Sequence, residues 1–453
     1  MKIGIVGWGV EGQSVYRYLG PANDYLIVNE EPRDDFPAET DKVRVRFIDA
    51  PRQPGLTGNV ADLSYLDGID KCDKIVYSVA NTKNLEKKFG RSQAFWSKTT
   101  TAQQLFFEGV KTKNVIGVTG TKGKGTTSTL IFEMLKAAGK KTFLGGNIGK
   151  SPLDFISEVE PQDWVVLELS SFQLYNLTYS PHIGVCLMIA PEHLEWHDDM
   201  TDYVEAKANL FRHQKTDDIA VYFPENNYSK RIAGYSSGKK VPYFAKPGAF
   251  VRGDRKIVVG ENETEIIGLD GIKLLGEHNH QNICAALTAV WQICQDIEPL
   301  RKVLSTFSGL EHRLEFVREL GGVKYYDDSF GTTPDTAIVA IKAFVQPVVL
   351  VLGGHDKGLD YTDLIDEITA RDRVRHVITI GAIGPKLGEM LRQKNFQAIT
   401  EGLSSMPEIV AEARRRAQPG DAVVLSCGTS SFGLFKDYKD RGNQFKQAVR
   451  ELT

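Results

Sequence analysis

The stretch Gly117-Val-Thr-Gly-Thr-Lys-Gly-Lys-Gly-Thr-Thr127 has the composition of a loop that wraps around a phosphate group. Glycines at positions 120, 123 and 125 leave backbone N–H groups free to converge on an anion, and Lys124 adds a cation. A helix that starts near Thr126 adds the positive end of its dipole. The stretch therefore predicts a phosphate-binding loop, and this loop decides the fold class.

The residues on both sides of the loop predict a strand before it and a helix after it. Residues 114–118 are mostly apolar and β-branched, and residues 128–138 follow a helical pattern. The spacing departs from the strict P-loop pattern, which has glycine in place of Val118 and a hydroxyl in place of Gly125. We therefore assign the hydroxyl that faces a magnesium ion to Thr126. A glycine-rich turn that binds no nucleotide is the alternative.

The 453-residue chain has the composition of a globular protein with about three domains. Its net charge of −3 offers no basic surface for a nucleic acid, and no apolar run approaches the ~20 residues of a membrane span. The first residues enter a strand at once, which leaves no room for a signal peptide. The five cysteines form no CxxC pair, so we expect reduced residues in a cytoplasmic protein. They are Cys72, Cys186, Cys284, Cys294 and Cys427.

Short β-branched strands alternate with longer helical patterns through nearly the whole chain. This alternation is typical of α/β proteins with mostly parallel sheets. The pattern restarts twice, and we predict three domains: residues 1–96, residues 97–308 with the P-loop, and residues 309–453. Residues 237–276 are rich in turns and short strands and predict an antiparallel insert in the second domain.

A second glycine-rich motif, Gly7-Trp-Gly-Val-Glu-Gly12, follows a predicted strand and opens a helix. With Glu30 at the end of the next strand, it matches a dinucleotide-binding fingerprint in which the acid binds a ribose hydroxyl. The motif alone leaves NAD or FAD, another nucleotide, and a simple tight turn open. Because the chain already has a P-loop, we favour a nucleotide-linked substrate in the first domain and ATP in the second.

Carboxylate and imidazole side chains follow two further apolar runs of the second domain. Glu168 ends one run and suits Mg²⁺, which prefers hard oxygen ligands beside phosphates; a solvated acid at a strand end is the alternative. His193 follows the other run and could bind a second Mg²⁺ or orient the substrate. The spacing of His197 suggests zinc, but the sequence has no third ligand at a metal spacing. We therefore interpret His197 as a surface or packing residue.

Three further polar positions lie on predicted helices. By helical periodicity alone, Lys207 is an exposed lysine. Asn279 and Asn282 share the first turn of a helix, where carboxamides suit an adenine edge or another bound ligand. An ordinary N-cap is the alternative for Asn279.

Polar side chains also occupy the turns of the third domain. Arg313 can clamp phosphate oxygens through two parallel hydrogen bonds, and Asp328 at a strand end can bind a ribose or a metal. A glycine turn after a buried strand aims Lys357 at a carboxylate. Residues 426–431 form a similar polar turn that contains Ser431.

In their order along the chain, these motifs resemble those of the Mur ligase family, in particular its glutamate-adding branch. The resemblance covers essentially the whole chain. Its motifs are Thr119-Gly-Thr-Lys-Gly-Lys124, Gly145-Gly-Asn-Ile-Gly149, Glu168-Leu-Ser-Ser-Phe-Gln173, His193, Lys207, His278-Asn279 with Asn282, His312-Arg313, Asp328-Ser329, Lys357 and Asp440-Arg-Gly-Asn443. The resemblance implies a Rossmann-like UDP-binding domain, a central P-loop ATPase domain, and a Rossmann-like C-terminal domain that binds ATP and the amino acid.

The resemblance also implies a reaction. The protein would be a cytoplasmic, monomeric, ATP-dependent amide ligase of peptidoglycan biosynthesis, and so would serve cell shape and cell division. ATP would convert the carboxylate of UDP-N-acetylmuramoyl-L-alanine into an acyl phosphate, which the amine of D-glutamate would attack. ATP and Mg²⁺ are the implied cofactors, with no nucleic-acid or membrane partner.

The resemblance assigns roles to particular residues. The catalytic residues would be Lys124, Glu168, His193 and Lys207, the last as a carbamate. The metal ligands would be Glu168, His193 and carbamylated Lys207, beside the Thr126 hydroxyl. ATP would contact Gly120, Thr121, Lys122, Gly123, Lys124, Gly125, Thr126, Thr127, Asn279, Asn282, Arg313 and Asp328. The other substrates would contact Val10, Glu11, Glu30, Asn147, Ser170, Gln173, Lys357, Ser431 and Tyr438.

Several positions depart from the family's pattern. Lys122 replaces an Asn, Gly125 lacks a hydroxyl, Phe330 replaces a Lys, Gly433 replaces an acid, and Tyr438 replaces a Phe. The last three bear on the amino-acid pocket, so L-glutamate or another amino acid is the alternative co-substrate. A nicotinamide-dependent oxidoreductase and a regulatory nucleotide-binding module without turnover are more distant alternatives.

Overall fold

The computed structural model describes residues 1–48, 62–90, 92–274, 276, 278–370 and 373–453. This part of the chain divides into two units. The first unit comprises Met1–Leu269 with Gln281–Val303, and the second comprises Asp270–His280 with Leu304–Thr453.

The first unit begins with a sheet of five parallel strands. They are β1 (Lys2–Val6), β2 (Asp24–Asn29), β3 (Val43–Phe47), β4 (Lys74–Tyr77) and β5 (Thr99–Thr100), in the spatial order β3-β2-β1-β4-β5. The helices of this region are α1 (Val10–Leu19), α2 (Thr82–Phe89), α3 (Gln93–Trp96) and α4 (Ala102–Gly109). The last strand of this sheet therefore lies just beyond residue 96, the predicted domain boundary.

A second sheet of the first unit has six parallel strands. They are β6 (Val115–Thr119), β7 (Thr142–Gly146), β8 (Trp164–Glu168), β9 (Ile183–Cys186), β10 (Ile219–Tyr222) and β11 (Lys239–Pro242), in the order β11-β10-β9-β6-β8-β7. Its helices are α5 (Lys124–Ala137), α6 (Ser171–Leu174), α7 (Met200–Arg212) and α8 (Asn227–Ala233). The helices α9 (His278–Trp291) and α10 (Ile297–Thr306) follow later in the chain.

The middle of this central sheet positions the glycine-rich loop. β6 is buried along its whole length, because it is apolar on both faces and pairs with β8 on one side and β9 on the other. The segments that follow β6, β8 and β9 leave the sheet at the same carboxyl edge, which is where parallel α/β sheets bind ligands.

An antiparallel sheet completes the first unit, and it confirms most of the predicted insert. Its strands are β12 (Phe250–Arg252), β13 (Lys256–Val259) and β14 (Thr264–Gly268). The prediction was wrong at one point. β11 lies within residues 237–276 but pairs in parallel with β10, because the chain returns to the edge of the central sheet before it forms the insert.

The second unit contains a sheet of six strands. They are β15 (Glu315–Leu320), β16 (Val323–Asp327), β17 (Val348–Gly353), β18 (Val374–Ile380), β19 (Ile399–Thr400) and β20 (Ala422–Leu425), in the order β15-β16-β20-β17-β18-β19. β15 is antiparallel to β16, and the other neighbours are parallel. The helices are α11 (Pro334–Lys342), α12 (Thr362–Thr369), α13 (Gly384–Gln393), α14 (Met406–Arg416) and α15 (Tyr438–Glu451).

The predicted α/β class with mostly parallel sheets is confirmed. The division into three domains stays a prediction. Short 3-10 helices complete the described secondary structure: Ser64–Leu66, Ile69–Lys71, Val79–Asn81, Pro152–Asp154, Ile156–Glu158 and Leu269–Gly271. Within the described residues, every helix is too short or too polar to span a membrane.

Candidate active site

The glycine-rich loop joins β6 to α5 at the carboxyl edge of the central sheet. Gly120 and Gly123 have positive φ angles of 145° and 85°, which other residues rarely adopt. A Cβ at Gly120 would lie 2.7 Å from the Cβ of Leu187, and one at Gly123 would lie 2.2 Å from Oδ1 of Asn282. The loop therefore requires glycine at both positions, and Asn282, a predicted ATP contact, lies beside it.

Helix α5 begins at Lys124, slightly before the predicted start near Thr126, with Gly123 as its N-cap. The Nζ of Lys124 donates hydrogen bonds to the carbonyl oxygens of Gly120 at 3.2 Å and Thr121 at 3.0 Å. The first N–H groups of a helix lack acceptors within the helix, so this end of α5 attracts an anion. The ammonium of Lys124 lies at the same place and adds to that attraction.

Thr121 attaches the loop to the segment after β9. Its hydroxyl donates to the carbonyl of Ala190 and accepts from the N–H of Ala190, both at 2.9 Å, and lies 3.1 Å from the Tyr203 hydroxyl. The neighbouring Lys122 is exposed and pairs with Glu192 at 3.4 Å. The two lysines of the loop therefore have different surroundings.

The first turn of α5 carries hydroxyl groups but has Gly125 at one position. The hydroxyls of Thr127 and Ser128 are buried and have no hydrogen-bond partner in the described part of the chain. Thr126, the predicted magnesium-facing residue, is also buried. A buried hydroxyl without a partner costs free energy unless water or a ligand satisfies it. The start of α5 thus offers oxygen atoms to a bound group.

Glu168 ends β8 and is buried, so it is not the solvated acid of the alternative interpretation. Its Oε1 accepts a hydrogen bond from Nδ2 of Asn147 at 3.0 Å, and its carbonyl accepts from the Asn147 N–H at 2.9 Å. Gly146 permits this approach, because a Cβ there would lie 2.2 Å from the Glu168 carbonyl oxygen. The carboxylate is thus held at the strand end by the loop after β7.

Lys207 lies on α7 and is 1% exposed, which corrects the prediction from periodicity that it faces solvent. α7 packs against β6 and β9, and this packing buries the side chain. Its Nζ donates to the Gly120 carbonyl at 3.0 Å and lies 4.5 Å from the centre of the Tyr203 ring. Burial and the nearby charge of Lys124 lower the pKa of Lys207 to about 7. The amine therefore has a substantial neutral fraction at neutral pH.

His193 lies in the segment after β9 and has a positive φ of 59°. Its Nδ1 is 3.3 Å from Glu195 and its Nε2 is 3.9 Å from Glu192. The ring makes an edge contact with Phe172, at 5.1 Å between centroids. The side chain is 41% exposed, so its imidazole is accessible to a ligand.

His197 is buried, which matches the packing alternative and excludes the surface one. Its Nδ1 lies 2.8 Å from Oδ2 of Asp202, and its Nε2 lies 3.0 Å from Oγ of Ser171. Burial lowers the pKa of His197, although Asp202 acts in the opposite direction.

The predicted nucleotide motif at the N-terminus forms a tight turn from β1 to α1. A Cβ at Gly12 would lie 2.1 Å from the carbonyl oxygen of Gly7, so the two segments approach as the fingerprint requires. Glu30 follows β2, and its Oε1 accepts a hydrogen bond from Nδ2 of Asn84 at 2.7 Å. Val10 is 68% exposed at the start of α1.

Three of the predicted substrate residues hydrogen-bond to one another. Oε1 of Glu11 accepts from Nε2 of Gln103 at 2.7 Å and from Nε2 of Gln173 at 2.8 Å. Oε1 of Gln173 accepts from the N–H of Ser170, and the Ser170 hydroxyl accepts from the Gln173 N–H, in a capping box at the start of α6. These side chains therefore connect α1 to the Glu168 turn, a structural role that the sequence does not reveal.

In the second unit, Asp328 follows β16 and is buried. Its Oδ1 accepts from the N–H of Leu314 at 3.1 Å, and its Oδ2 accepts from the Ser426 hydroxyl at 2.7 Å. Burial raises the pKa of Asp328 to about 7. Arg313 lies in the same region, with its guanidinium 4.0 Å from the centre of the Phe330 ring.

The remaining predicted residues have varied surroundings. Lys357 is exposed in the turn after β17, and Ser431 is buried after β20. Tyr438 is the first residue of α15, and its carbonyl accepts from the Ser329 hydroxyl at 2.8 Å. Asn279 is buried within the first turn of α9, so it is not an N-cap.

Arg441 received no predicted role, although its motif was noted in the sequence. It is fully buried. Its Nε and Nη2 donate to the hydroxyl and the carbonyl of Ser329 at 2.9 and 2.8 Å, and its Nη1 donates to the Thr429 carbonyl at 3.1 Å. Arg441 thus links the turn after β16 to the turn after β20. The only indication in the sequence was the motif Asp440-Arg-Gly-Asn443, which does not reveal that its arginine is buried.

The partners of His312 were also not predicted from the sequence. Its Nδ1 lies 2.7 Å from Oδ2 of the buried Asp327, and its backbone N–H donates to Oε2 of Glu315 at 2.9 Å. The three side chains could surround a metal ion. However, Lys446 already pairs with Glu315 at 3.2 Å. We interpret the group as a hydrogen-bonded support for the turn that contains Arg313.

Two domain patterns match this chain. The Mur ligase middle domain matches residues 118–290, and the Mur ligase glutamate ligase domain matches residues 312–428. The chain is also 39% identical over 368 residues to UDP-N-acetylmuramoylalanine–D-glutamate ligase of Acetivibrio thermocellus, which covers 79% of this chain and 78% of that protein.

A relative of the same name from Clostridium kluyveri matches along the whole length. It is 32% identical over 460 residues, which cover 100% of this chain and 97% of that protein. Among solved structures, MurF ligase from Thermotoga maritima in complex with ADP has a TM-score of 0.59 at 16% identity, and covers 99% of this chain and 95% of that chain. At this identity the structural likeness concerns the fold alone.

Proposed function

This chain belongs to the Mur ligase family and is an ATP-dependent ligase of an acid and an amino acid, and we propose that it joins D-glutamate to UDP-N-acetylmuramoyl-L-alanine. The observation that carries the proposal is the group of charged residues at the carboxyl edge of the central sheet. There the glycine-rich loop with Lys124 adjoins the buried Lys207, and Glu168 ends the neighbouring strand.

The choice of D-glutamate and of the nucleotide sugar rests on the relatives. The proteins from Acetivibrio thermocellus and Clostridium kluyveri carry both in their names. The match to the second relative extends over both units, so it includes the segments that would bind each substrate. We assign the uridine part to the first sheet, near Val10 and Glu30.

The residues at the start of α5 suit ATP with Mg²⁺. The buried hydroxyls without partners at Thr127 and Ser128 and the carboxylate of Glu168 are hard oxygen donors of the kind that Mg²⁺ prefers. Mg²⁺ held there would supply positive charge that offsets the negative charge of the phosphate groups. We assign the ligands to Glu168 and His193, with the Thr126 hydroxyl beside them. Asn279, Arg313 and Asp328 are the proposed ATP contacts of the second unit.

The reaction transfers a phosphoryl group and then forms an amide. The substrate carboxylate attacks the terminal phosphorus of ATP, the bond to the bridging oxygen breaks, and ADP leaves. The amine of glutamate, in its neutral form, attacks the acyl carbon, loses a proton and displaces inorganic phosphate. Lys124 holds a positive charge where negative charge develops during the first step, and this kind of preorganised electrostatic contact lowers the barrier. Lys357 and Ser431 are the proposed contacts of the incoming amino acid.

The buried Lys207 supports a carbamate at this position. A neutral amine can attack CO₂ and release one proton, which replaces a cation with an anionic oxygen ligand. The lowered pKa of about 7 makes the neutral amine available near neutral pH. Carbamylated Lys207 would then act as a ligand for the metal beside the loop, together with Glu168.

We further propose that the protein acts in the cytoplasm as a monomer. Cys72, Cys186, Cys284 and Cys427 are buried and free, as expected for a reducing compartment. The proposed substrates are ATP, the nucleotide sugar and the amino acid, and all of them are small molecules.

An amino-acid panel tests the proposal. The protein is incubated with UDP-N-acetylmuramoyl-L-alanine, ATP, Mg²⁺ and one amino acid at a time, and phosphate release and product mass are measured. We expect release with D-glutamate, and release that is slower by at least about a hundredfold from the Lys124→Ala variant. The absence of release with every amino acid would contradict the ligase assignment for this substrate.

A second candidate uses the same chemistry with L-glutamate. It is favoured by Phe330 and Gly433, which replace a lysine and an acid of the family's pattern in the region assigned to the amino acid. In the panel, this candidate predicts faster phosphate release with L-glutamate than with D-glutamate.

A further inference from the structure

We propose that His197 is a positioning residue that holds the three segments carrying the metal ligands in register. The inference rests on the proposed function, because that proposal assigns the metal ligands to Glu168, His193 and Lys207. His197 contacts the segment of each ligand through a different atom, and the reaction itself does not use it.

The first contact is with the turn that carries His193. The backbone N–H of His197 donates to the carbonyl of His193 at 2.9 Å, and the N–H of Trp196 donates to the same carbonyl at 3.1 Å. Residues 193–197 thus form one closed turn. His193 has a positive φ of 59°, a strained conformation that persists only where surrounding contacts impose it. The hydrogen bond from the His197 N–H, which closes this turn, is such a contact.

The second contact is with the turn that carries Glu168. Nε2 of His197 lies 3.0 Å from the hydroxyl of Ser171, the first residue of α6. Glu168 ends β8 just before this helix. The contact therefore limits how far the Glu168–Ser171 turn can move relative to the His193 turn.

The third contact is with the helix that carries Lys207. Nδ1 of His197 lies 2.8 Å from Oδ2 of Asp202, in the first turn of α7. Lys207 follows on the same helix, at about 1.5 Å of rise per residue. Because a carboxylate only accepts hydrogen bonds, Nδ1 must carry the proton here, and in the neutral ring Nε2 then accepts from the Ser171 hydroxyl. One imidazole thus connects both helices.

The order Asp202, His197, Ser171 is that of a nucleophilic triad, but burial excludes that role. Ser171 and His197 are each 1% exposed, so the serine hydroxyl cannot reach a substrate carbonyl. The same burial suits a positioning role. An imidazole that is held through both ring nitrogens keeps its two partners in place without contacting substrate. Removal of hydrogen-bond partners around metal ligands typically changes metal affinity by about 10- to 100-fold.

The test measures metal binding rather than turnover. Mn²⁺ is titrated into the protein with saturating ADP, by calorimetry, well below the melting temperature of each variant. Manganese serves as the probe because it accepts the same oxygen ligands as magnesium. His197→Asn retains an amide near Nδ1, His197→Gln retains one near Nε2, and Ser171→Ala removes a single hydroxyl.

A matched control is His376→Asn in the second unit. His376 is also buried and also contacts one hydroxyl, that of Thr400, at 2.8 Å. We expect the His197 variants and Ser171→Ala to bind Mn²⁺ roughly 10- to 100-fold more weakly than the parent. We expect His376→Asn to bind within twofold of the parent, and ADP affinity without metal to be unchanged in all variants.

Each outcome decides the inference. Folded Ser171→Ala and His197→Gln variants with Mn²⁺ affinities within twofold of the parent would overturn it, and Ser171→Ala alone decides if the histidine variants do not fold. A parent that binds no Mn²⁺ overturns both the metal site and the inference. A parent that binds Mn²⁺ but ligates no amino acid overturns the proposed function, while the variant affinities still decide the role of His197.

Discussion

Two lysines of the glycine-rich loop have the same charge and different surroundings. Lys124 turns back onto the loop carbonyls, whereas Lys122 is exposed and pairs with Glu192. We predict that Lys124→Ala lowers turnover by at least about a hundredfold, the usual effect of removing one preorganised electrostatic contact. Lys122→Ala should change turnover by less than about fivefold, because exposed ion pairs contribute only about 0–1 kcal/mol. Steady-state kinetics at saturating ATP compare them, and equal losses would contradict the role of Lys124.

Lys207 gives a prediction about chemical modification. With its pKa lowered to about 7, its amine becomes largely neutral between pH 6 and 8, where ordinary lysines with pKa values of about 10.4 stay charged. We expect ¹³CO₂ to give a carbamate signal in ¹³C NMR that grows with pH over this range. Lys207→Ala should lack the signal and regain part of its activity with added formate or acetate. A signal that persists in Lys207→Ala would assign the carbamate to another residue.

Asp328 gives a prediction about stability and pH. Its pKa is raised to about 7 in the folded protein, against about 3.9 when unfolded. Between these values the folded state binds the proton and the unfolded state does not, so stability falls as pH rises from about 4 to 7, by at most about 1.4 kcal/mol per pH unit. Urea unfolding of the parent and Asp328→Asn should show this decline in their difference, which levels off above pH 7. Asp363→Asn, an exposed acid of the same unit, is the control.

At the level of elements, the start of α5 depends on a left-handed residue. Gly123 has a φ of 85°, and a Cβ there would lie 2.2 Å from Oδ1 of Asn282. At Gly139, φ is 76° and a Cβ would meet no described atom within 4 Å. Gly139→Ala should therefore lose only about 1–2 kcal/mol of unfolding free energy, the cost of the backbone conformation.

Gly123→Ala should lose more, because Asn282 must also move away from the loop. We expect its affinity for ATP to fall by roughly tenfold or more, which corresponds to about 1.4 kcal/mol. Gly139→Ala should bind ATP as the parent does. Calorimetric titration with ATP compares the two variants, and equal ATP affinities would show that the loop tolerates the displacement.

The strand, loop and helix at the P-loop were predictable from the sequence because local residues determine them. β-branched residues favour β6, and glycines allow the positive φ angles of the loop. The helix starts at Lys124 rather than near Thr126, because Gly123 can adopt the left-handed N-cap. Helix ends are commonly uncertain by one or two residues, so a difference of this size is expected.

The surroundings of single side chains were less predictable. Periodicity predicts that Lys207 is exposed, but α7 packs against the central sheet on that side, and Lys207 contacts Gly120, which is 87 residues away along the chain. The partners of His197 lie on two different helices. The pairing of β11 with β10 was also not predicted, because it depends on the path by which the chain returns to the edge of the central sheet. Contacts between distant segments leave no periodic pattern in the sequence.

For the whole molecule, the type of sheet was easier to infer than the division into domains. Alternating strands and helices predict parallel sheets, and those sheets are present. The described chain divides into two units, and the first contains both the N-terminal and the central sheet. The hydrogen bond from Gln173 to Glu11 connects those two regions. The sequence does not reveal such bonds, because the partners are ordinary polar residues.

The two units should unfold separately. Leu167 belongs to an apolar core cluster of the first unit, and Leu350 to one of the second; both are fully buried in central strands. Each leucine-to-alanine change should cost about 2–5 kcal/mol, because it removes buried methyl groups and leaves a cavity.

Differential scanning calorimetry of the whole chain should therefore resolve two transitions. Leu167→Ala should lower the melting temperature of one transition and Leu350→Ala that of the other. Val345→Ala, at a position that is 88% exposed, should move neither. A single transition that both core substitutions shift equally would mean that the units unfold as one cooperative structure, despite the separate cores to which these two leucines belong.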